Sequence, residues 1–142
     1  MTASWEQTLA RAREGDAAAL GNLLQKYRGY VALLARMQID HRLKGKLDAS
    51  DVVQEALLNA FRFIADFRGA TEAELLGWLR QILANSLANQ VRHYTQQRRD
   101  IRLERQFALE LDQSSRILQR AGVLVRQSSP SQQAVRGEQA LQ

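Results

Sequence analysis

Apolar residues recur along this chain at helical spacing, and no alternating β-branched run interrupts them. Ser4 stands before Trp5, Leu9 and Ala12, which predicts a capped first helix ending near Gly15. Asp16 caps a longer one. Its stripe of Leu20, Leu23, Leu24, Tyr27, Val31 and Leu34 follows i, i+3, i+4, i+7, i+11, i+14 and forms one buried face running to about Gln38. Gly21 and Gly29 lower its propensity and are expected to permit close helix contact. Residues Asp40 to Leu47 are polar, basic and contain Gly45, so a loop is expected. Asp48 then caps a third helix over Ala49 to Asp66, burying Val53, Leu57, Ala60, Phe61 and Ile64. Phe67-Arg68-Gly69-Ala70 breaks the pattern. Thr71 and Glu74 form a T-x-x-E capping box for a fourth helix from about Glu72 to beyond Tyr94, with Leu75, Leu76, Leu79, Leu83, Leu87 and Val91 inward.

The end of the chain is less regular. Residues 95–105 are polar enough to extend the fourth helix. Residues 106–128 alternate Gln, Ser and Arg with Leu and Ile, too apolar for a free linker and too irregular to predict a helix. Ser129, Pro130 and Gln132 signal one more helix start, with Ala134, Val135, Ala140 and Leu141 as its apolar positions. A stripe that short has nothing to close on, so the chain is expected to end inside a longer architecture. The fold class is all-α, a compact helical bundle with an extended or partly helical C-terminal arm.

Composition narrows the function. At 142 residues the chain has room for one domain with an arm. There is no Cys, and His41 and His93 lack paired metal-ligand spacing. No phosphate-binding glycine loop or nucleophile elbow occurs, so no catalytic residue, metal or cofactor is expected and the chain does not read as an enzyme. No apolar run is long enough for a bilayer, and Met1 is not followed by a basic-then-apolar leader; a cytoplasmic protein with no membrane partner is the expectation.

Charge is partitioned. Residues 1–75 hold 10 basic and 10 acidic side chains, whereas residues 76–136 hold 10 basic and 4 acidic. Of the 20 basic residues 17 are Arg, whose planar fork matches phosphates and base edges. A basic half beside a neutral half suits a polyanion on one side. High-GC coding also enriches Arg, so composition alone does not choose.

Two faces are left over from the core. Asp51, Gln54, Glu55, Leu58 and Arg62 follow i, i+3, i+4, i+7, i+11 on the third helix. Such a strip suits a basic partner helix with Leu58 as anchor, although one stray surface Leu is common. On the fourth helix, Trp78, Ile82, Asn85, Asn89 and Arg92 follow i, i+4, i+7, i+11, i+14. An aromatic plane beside amides is what an unstacked base needs, with Arg80, Arg98, Arg99 and Arg102 near enough for phosphates. The competing reading puts Trp78 and Ile82 in the core.

Together these residues resemble a bacterial extracytoplasmic-function (ECF) sigma factor. Asp48-Ala-Ser-Asp51-Val-Val-Gln54-Glu55-Ala-Leu is similar to the family's D-x-x-D-x-x-Q-E-x-x-L core-binding helix. Phe67-Arg68-Gly69, then Trp78-Leu79-Arg80-Gln-Ile82-Leu-Ala-Asn85 and Arg92, resembles its F-R-G…W-L-x-x-I-x-x-N…R promoter-reading segment. The match covers about residues 8–105. It implies a sigma2-like domain over 1–105, a linker over 106–129, where Ser128-Ser129-Pro130-Ser131 resembles the approach to the family's second domain, and over 130–142 the start of a helix leading to an absent sigma4-like domain.

The resemblance also implies roles. Asp51, Gln54, Glu55, Leu58 and Arg62 would dock on the β′ clamp helices of core RNA polymerase. Phe67, Arg68, Trp78 and Asn85 would capture a base flipped from the non-template strand of the promoter minus-ten element. Asn89, Arg92, Arg98 and Arg99 would complete the DNA contact. The function implied is a transcription initiation factor that recognises and melts that element. Members are often held by an anti-sigma factor, and nothing here identifies one. Asn89 stands where many members carry Asp, which leaves the charge around Arg92 open. The alternatives from residues alone are an all-α protein-interaction module and a non-specific single-stranded nucleic-acid binder.

Overall fold

The computed structural model describes residues 4–43, 47–95 and 101–122, and the described residues form helices joined by short turns. Helix α1 spans Trp5–Arg13, α2 Ala17–Gln38, α3 Ala49–Phe63, α4 Glu72–Thr95 and α5 Ile101–Arg120. In space α1 lies on α2, α2 on α3, α3 on α4 and α4 on α5, and α2 also touches α4 and α5. The bundle is therefore all-α, as the periodicity predicts.

The caps set the starts of the helices. Ser4 accepts from the Gln7 amide at 3.1 Å, while the Gln7 side chain accepts from the Ser4 amide at 2.9 Å. Asp16 accepts from Ala19 N–H at 3.1 Å and from the Arg11 guanidinium at 3.0 Å, and these donors, the amide first, hold its carboxyl below the ordinary range. Gly15, at φ 99°, makes the sharp turn between α1 and α2. Asp48 caps α3 through the Ser50 amide at 2.8 Å.

The core is built from the expected α2 stripe, Leu20 to Leu34, and the α4 stripe Leu75, Leu76, Leu79, Leu83 and Leu87, all buried. Val91, at the far end of that stripe, is half-buried. Tyr27 is fully buried between three helices. Its hydroxyl accepts from the Trp5 indole at 2.8 Å and donates to Glu72 at 2.5 Å. Burial first, and then the Glu72 carboxylate, push that hydroxyl's pKa far up.

Four expectations are corrected. Gly21 and Gly29 face solvent, and a Cβ at either would meet nothing within 4 Å, so neither serves a close helix contact. Residues Ile39–Leu43 extend α2 as a π-helical turn rather than opening a loop at Asp40. Helix α3 ends at Phe63 and tightens into a 3-10 turn over Ile64–Asp66. Its buried arc is Val52, Val53, Ala56 and Ala60; Phe61 lies one residue, about 100° of helical rotation, past Ala60 and is 44% exposed, and Leu57 is half-buried.

The fourth correction concerns residues 106–128, expected as a linker, extended or partly helical; 123–128 lie outside the described residues. Here α5 runs unbroken to Arg120 and ends at Gly122, φ 76°. Phe107 and Leu111 are 1% and 0% exposed, sunk into the same core as α2 and α4. The helix is also clasped by polar contacts. Asp112 accepts from Arg80 at 2.8 Å, Ser115 meets the Tyr30 hydroxyl at 3.0 Å, and Glu110 accepts from Gln38. The expected extension of α4 covers 95–105: Thr95 closes α4 and residues 101–105 belong to α5, while 96–100 and the helix start at Ser129 lie outside the described residues.

Candidate nucleic-acid and protein interface

The Phe67-Arg68-Gly69 turn is fixed from three sides. Phe67 is 5% exposed, with its ring centroid 5.4 Å from that of Trp78 at 41°. The Arg13 guanidinium lies 4.9 Å over the Phe67 ring and donates to the Phe67 carbonyl at 3.0 Å and to the Gly69 carbonyl. A Cβ on Gly69 would come 2.6 Å from the Phe67 ring and 2.8 Å from Glu74 Cβ, so only glycine allows this close approach. On the other side the capping box forms as the sequence predicts. Glu74 accepts from the Ala70 and Thr71 amides at 2.8 and 3.1 Å, and its own amide donates to Thr71 Oγ1 at 3.1 Å. Those donors, Ala70 first, hold the Glu74 carboxyl below its ordinary value.

This geometry sorts the expected base-capture residues. Phe67 is closed into the core, so it backs Trp78 instead of offering its own plane. Trp78 is half-buried, packed on the core with part of its indole accessible. Arg68 is exposed. Asn85 lies seven residues along α4 from Trp78, about two turns and on the same side of the helix. Arg98 and Arg99 lie outside the described residues.

Behind Asn85 a chain of side-chain hydrogen bonds crosses three helices. Asn85 Nδ2 donates to Glu104 of α5 at 3.2 Å. Asn89 Nδ2 donates to Asn85 Oδ1 at 3.2 Å and to Glu55 of α3 at 3.2 Å. Gln90 also donates to Glu55, at 2.8 Å, and Arg92 donates to Asn89 Oδ1 at 3.0 Å. This answers the charge question around Arg92. An Asp at 89 would set a second carboxylate against Glu55, whereas the amide gives Glu55 a donor and Arg92 an acceptor at once.

The outer face of α3 separates likewise. Asp51, Gln54, Leu58 and Arg62 are exposed, Leu58 at 58%. Glu55 is half-buried and turned to α4 through the bonds above. Phe61, one turn from Leu58, widens the apolar patch, and Phe63 is 45% exposed with the Arg62 guanidinium 5.8 Å above its ring. The i+3 spacing from Leu58 to Phe61 was available in the sequence. Arg13 carries no local signal, because it meets the turn from a helix 54 residues away.

Comparison with known proteins now adds to the geometry. The profile of sigma-70 region 2 matches residues 23–99. The chain belongs to the sigma-70 region 2 family. Over 79 residues it is 34% identical to a protein named ECF RNA polymerase sigma-E factor from Haemophilus influenzae, a stretch that covers 56% of this chain and 38% of that relative. The chain thus spans less than half of the relative it matches. No solved structure gives a significant match. The matched region contains both faces, the Phe67–Gly69 turn and the Asn85–Asn89 pair. It stops before α5 and leaves out α1, so Arg13 and Glu104 are contributed by segments outside the family region. Among the described residues no helix is long and apolar enough to cross a membrane.

Proposed function

We propose that this chain is the region 2 part of a sigma factor, which docks on core RNA polymerase through α3 and takes an unpaired base of the promoter minus-ten element against α4. The observation that carries this reading is the pairing of two outward faces on one rigid bundle. One offers Asp51, Gln54, Leu58 and Phe61, and the other offers Trp78 and Asn85 beside a locked Phe67–Gly69 turn. The family match spans both.

The energetics fit a factor that works with its polymerase. Extruding a base costs a few kcal/mol. Stacking on the accessible part of Trp78 returns roughly 1–3 kcal/mol, and phosphate contacts from Arg68, Arg92, Arg98 and Arg99 add a salt-dependent increment. The balance is near zero, so the domain alone binds strands weakly and needs the contacts of the larger assembly. On this reading no bond is made or broken by the chain, and Glu55 serves to hold α3 against α4 beside the docking face.

The test uses the full chain with a β′ clamp-helix fragment and with labelled single-stranded hexamers. Asp51→Lys with Leu58→Ala changes two exposed side chains and is expected to abolish clamp-helix binding at unchanged thermal stability; retained affinity refutes the docking face. Trp78→Ala is expected to weaken a minus-ten-like strand at least fivefold more than a scrambled one. Equal loss on both strands leaves the non-specific binder as the better account, and no strand binding at low salt leaves the protein-interaction module.

A further inference from the structure

The Asn85 amide has a direction, and the side chain that sets it comes from α5, beyond the family-matched segment. A carboxylate only accepts hydrogen bonds and a guanidinium only donates. Glu104 therefore fixes Asn85 with its NH2 group toward α5, at 3.2 Å. The opposite end is fixed independently. Asn89 must turn its NH2 to Glu55 and its oxygen to Arg92, which leaves its second N–H for the Asn85 oxygen at 3.2 Å. The ladder is thus locked by a carboxylate at each end, and neither amide turns over without setting like against like. Glu104 itself is held in place because α5 is sunk into the core through Phe107, one turn on, and Leu111.

An amide has two N–H donors and two acceptor sites on oxygen. After Glu104 and Asn89 have taken one of each, Asn85 keeps one donor and one acceptor in a fixed order. That order matters to a nucleobase. Adenine and cytosine present an amino donor next to a ring acceptor, whereas guanine and thymine present a carbonyl acceptor next to a ring N–H. An amide free to turn over pairs with either class; one that is locked pairs with only one.

We propose that Glu104 is a positioning residue for the reading face, and that by locking the Asn85 amide it makes the captured position discriminate amino bases from keto bases. This rests on the base-capture reading above. It adds a specificity determinant on a helix outside the family region, joined to the same bundle.

The experiment compares the full chain with Glu104→Gln. Glutamine keeps the shape but presents either a donor or an acceptor, so it removes the α5 half of the lock and leaves Asn85 held only by the single Asn89 bond at 3.2 Å. The first readout needs no DNA. The Asn85 side-chain NH2, assigned by 15N NMR, is expected to exchange slowly with solvent in the wild type and faster in the variant. The second is the affinity ratio for hexamers that differ only in an amino or keto base at the captured position. A well-formed amide pair is worth about tenfold or more in discrimination, so the ratio is expected to fall from that range toward one. Asp112→Asn loosens α5 elsewhere and is expected to leave the ratio intact. An unchanged Asn85 resonance, an unchanged ratio, or an equal fall in Asp112→Asn each overturns the proposal. A rise in affinity for every strand at constant ratio does so too, because Glu104 then acts as a repelling charge. If the wild type has no base preference and Trp78→Ala loses nothing, base capture itself fails and takes the discrimination claim with it, while the NMR result still reports on the lock.

Discussion

Removing Phe107 tests whether α5 is an integral layer of the bundle. The side chain is 1% exposed, and Leu111 one turn on is fully buried in the same core. Truncating a buried Phe to Ala costs about 3–5 kcal/mol, from lost transfer free energy and from the cavity left behind. A domain of this size has about 5–15 kcal/mol in total, so Phe107→Ala removes a large share of it. With a urea slope of about 2 kcal/mol per molar, the midpoint should fall by roughly 2 M at unchanged slope. The assay is equilibrium urea unfolding followed by circular dichroism, with the exposed Leu109→Ala on the same helix as a control expected to stay within about 0.5 kcal/mol. A midpoint shift below about 0.5 M for Phe107→Ala refutes the packing of α5. If α5 instead opens on its own, Leu111→Ala added to Phe107→Ala costs nothing further and the slope falls.

Three further outcomes are expected. Gly69→Ala forces a Cβ into the Phe67 ring and Glu74, and overpacking of this kind costs about 1–3 kcal/mol; a thermal melt that moves by less than 2 °C would show that the turn yields freely. Glu74 is held below its ordinary value of 4.5 in the fold, so its contribution is complete above that pH and lost as acid brings the pH down through the folded value. Glu74→Gln should therefore melt lower than wild type at pH 7, with the gap narrowing as the pH falls below 4.5; a gap constant with pH contradicts the sign. Arg98→Ala with Arg99→Ala should weaken all single strands alike and flatten the log–log salt dependence by about 1.4, and an unaltered slope moves the phosphate track elsewhere.

Much of this molecule is legible in its sequence, because the helix starts carry their own chemistry. Ser4, Asp16, Asp48 and the Thr71–Glu74 pair each sit where a cap must be, and each caps. The stripes of α2 and α4 are legible because apolar side chains fill them, with Gln38 and Ser86 as the buried polar exceptions. Helix α5 is obscured because its inward side carries Glu104, Glu110, Asp112 and Ser115 among Phe107 and Leu111. Their partners Asn85, Gln38, Arg80 and Tyr30 lie on α2 and α4, so no local pattern marks these polar groups as internal. The site follows the same rule. Trp78, Asn85 and Leu58 stand out by spacing, while burial of Phe67 depends on Arg13 and the direction of Asn85 on Glu104, both distant in sequence. Phe61, expected inward, lies one step of the helical wheel outside the buried arc.

The Tyr27 hydroxyl, wedged between the Trp5 indole and the Glu72 carboxylate, has a practical corollary for anyone trimming this protein. Cutting at the family boundary near residue 23 discards both Trp5 and Arg13. The buried phenol then loses its donor, and the turn ahead of α4 loses the cation that staples its carbonyls. Such a minimal fragment would misreport the Phe67–Trp78 surface through a frayed hinge, so any working excerpt should begin no later than Ser4.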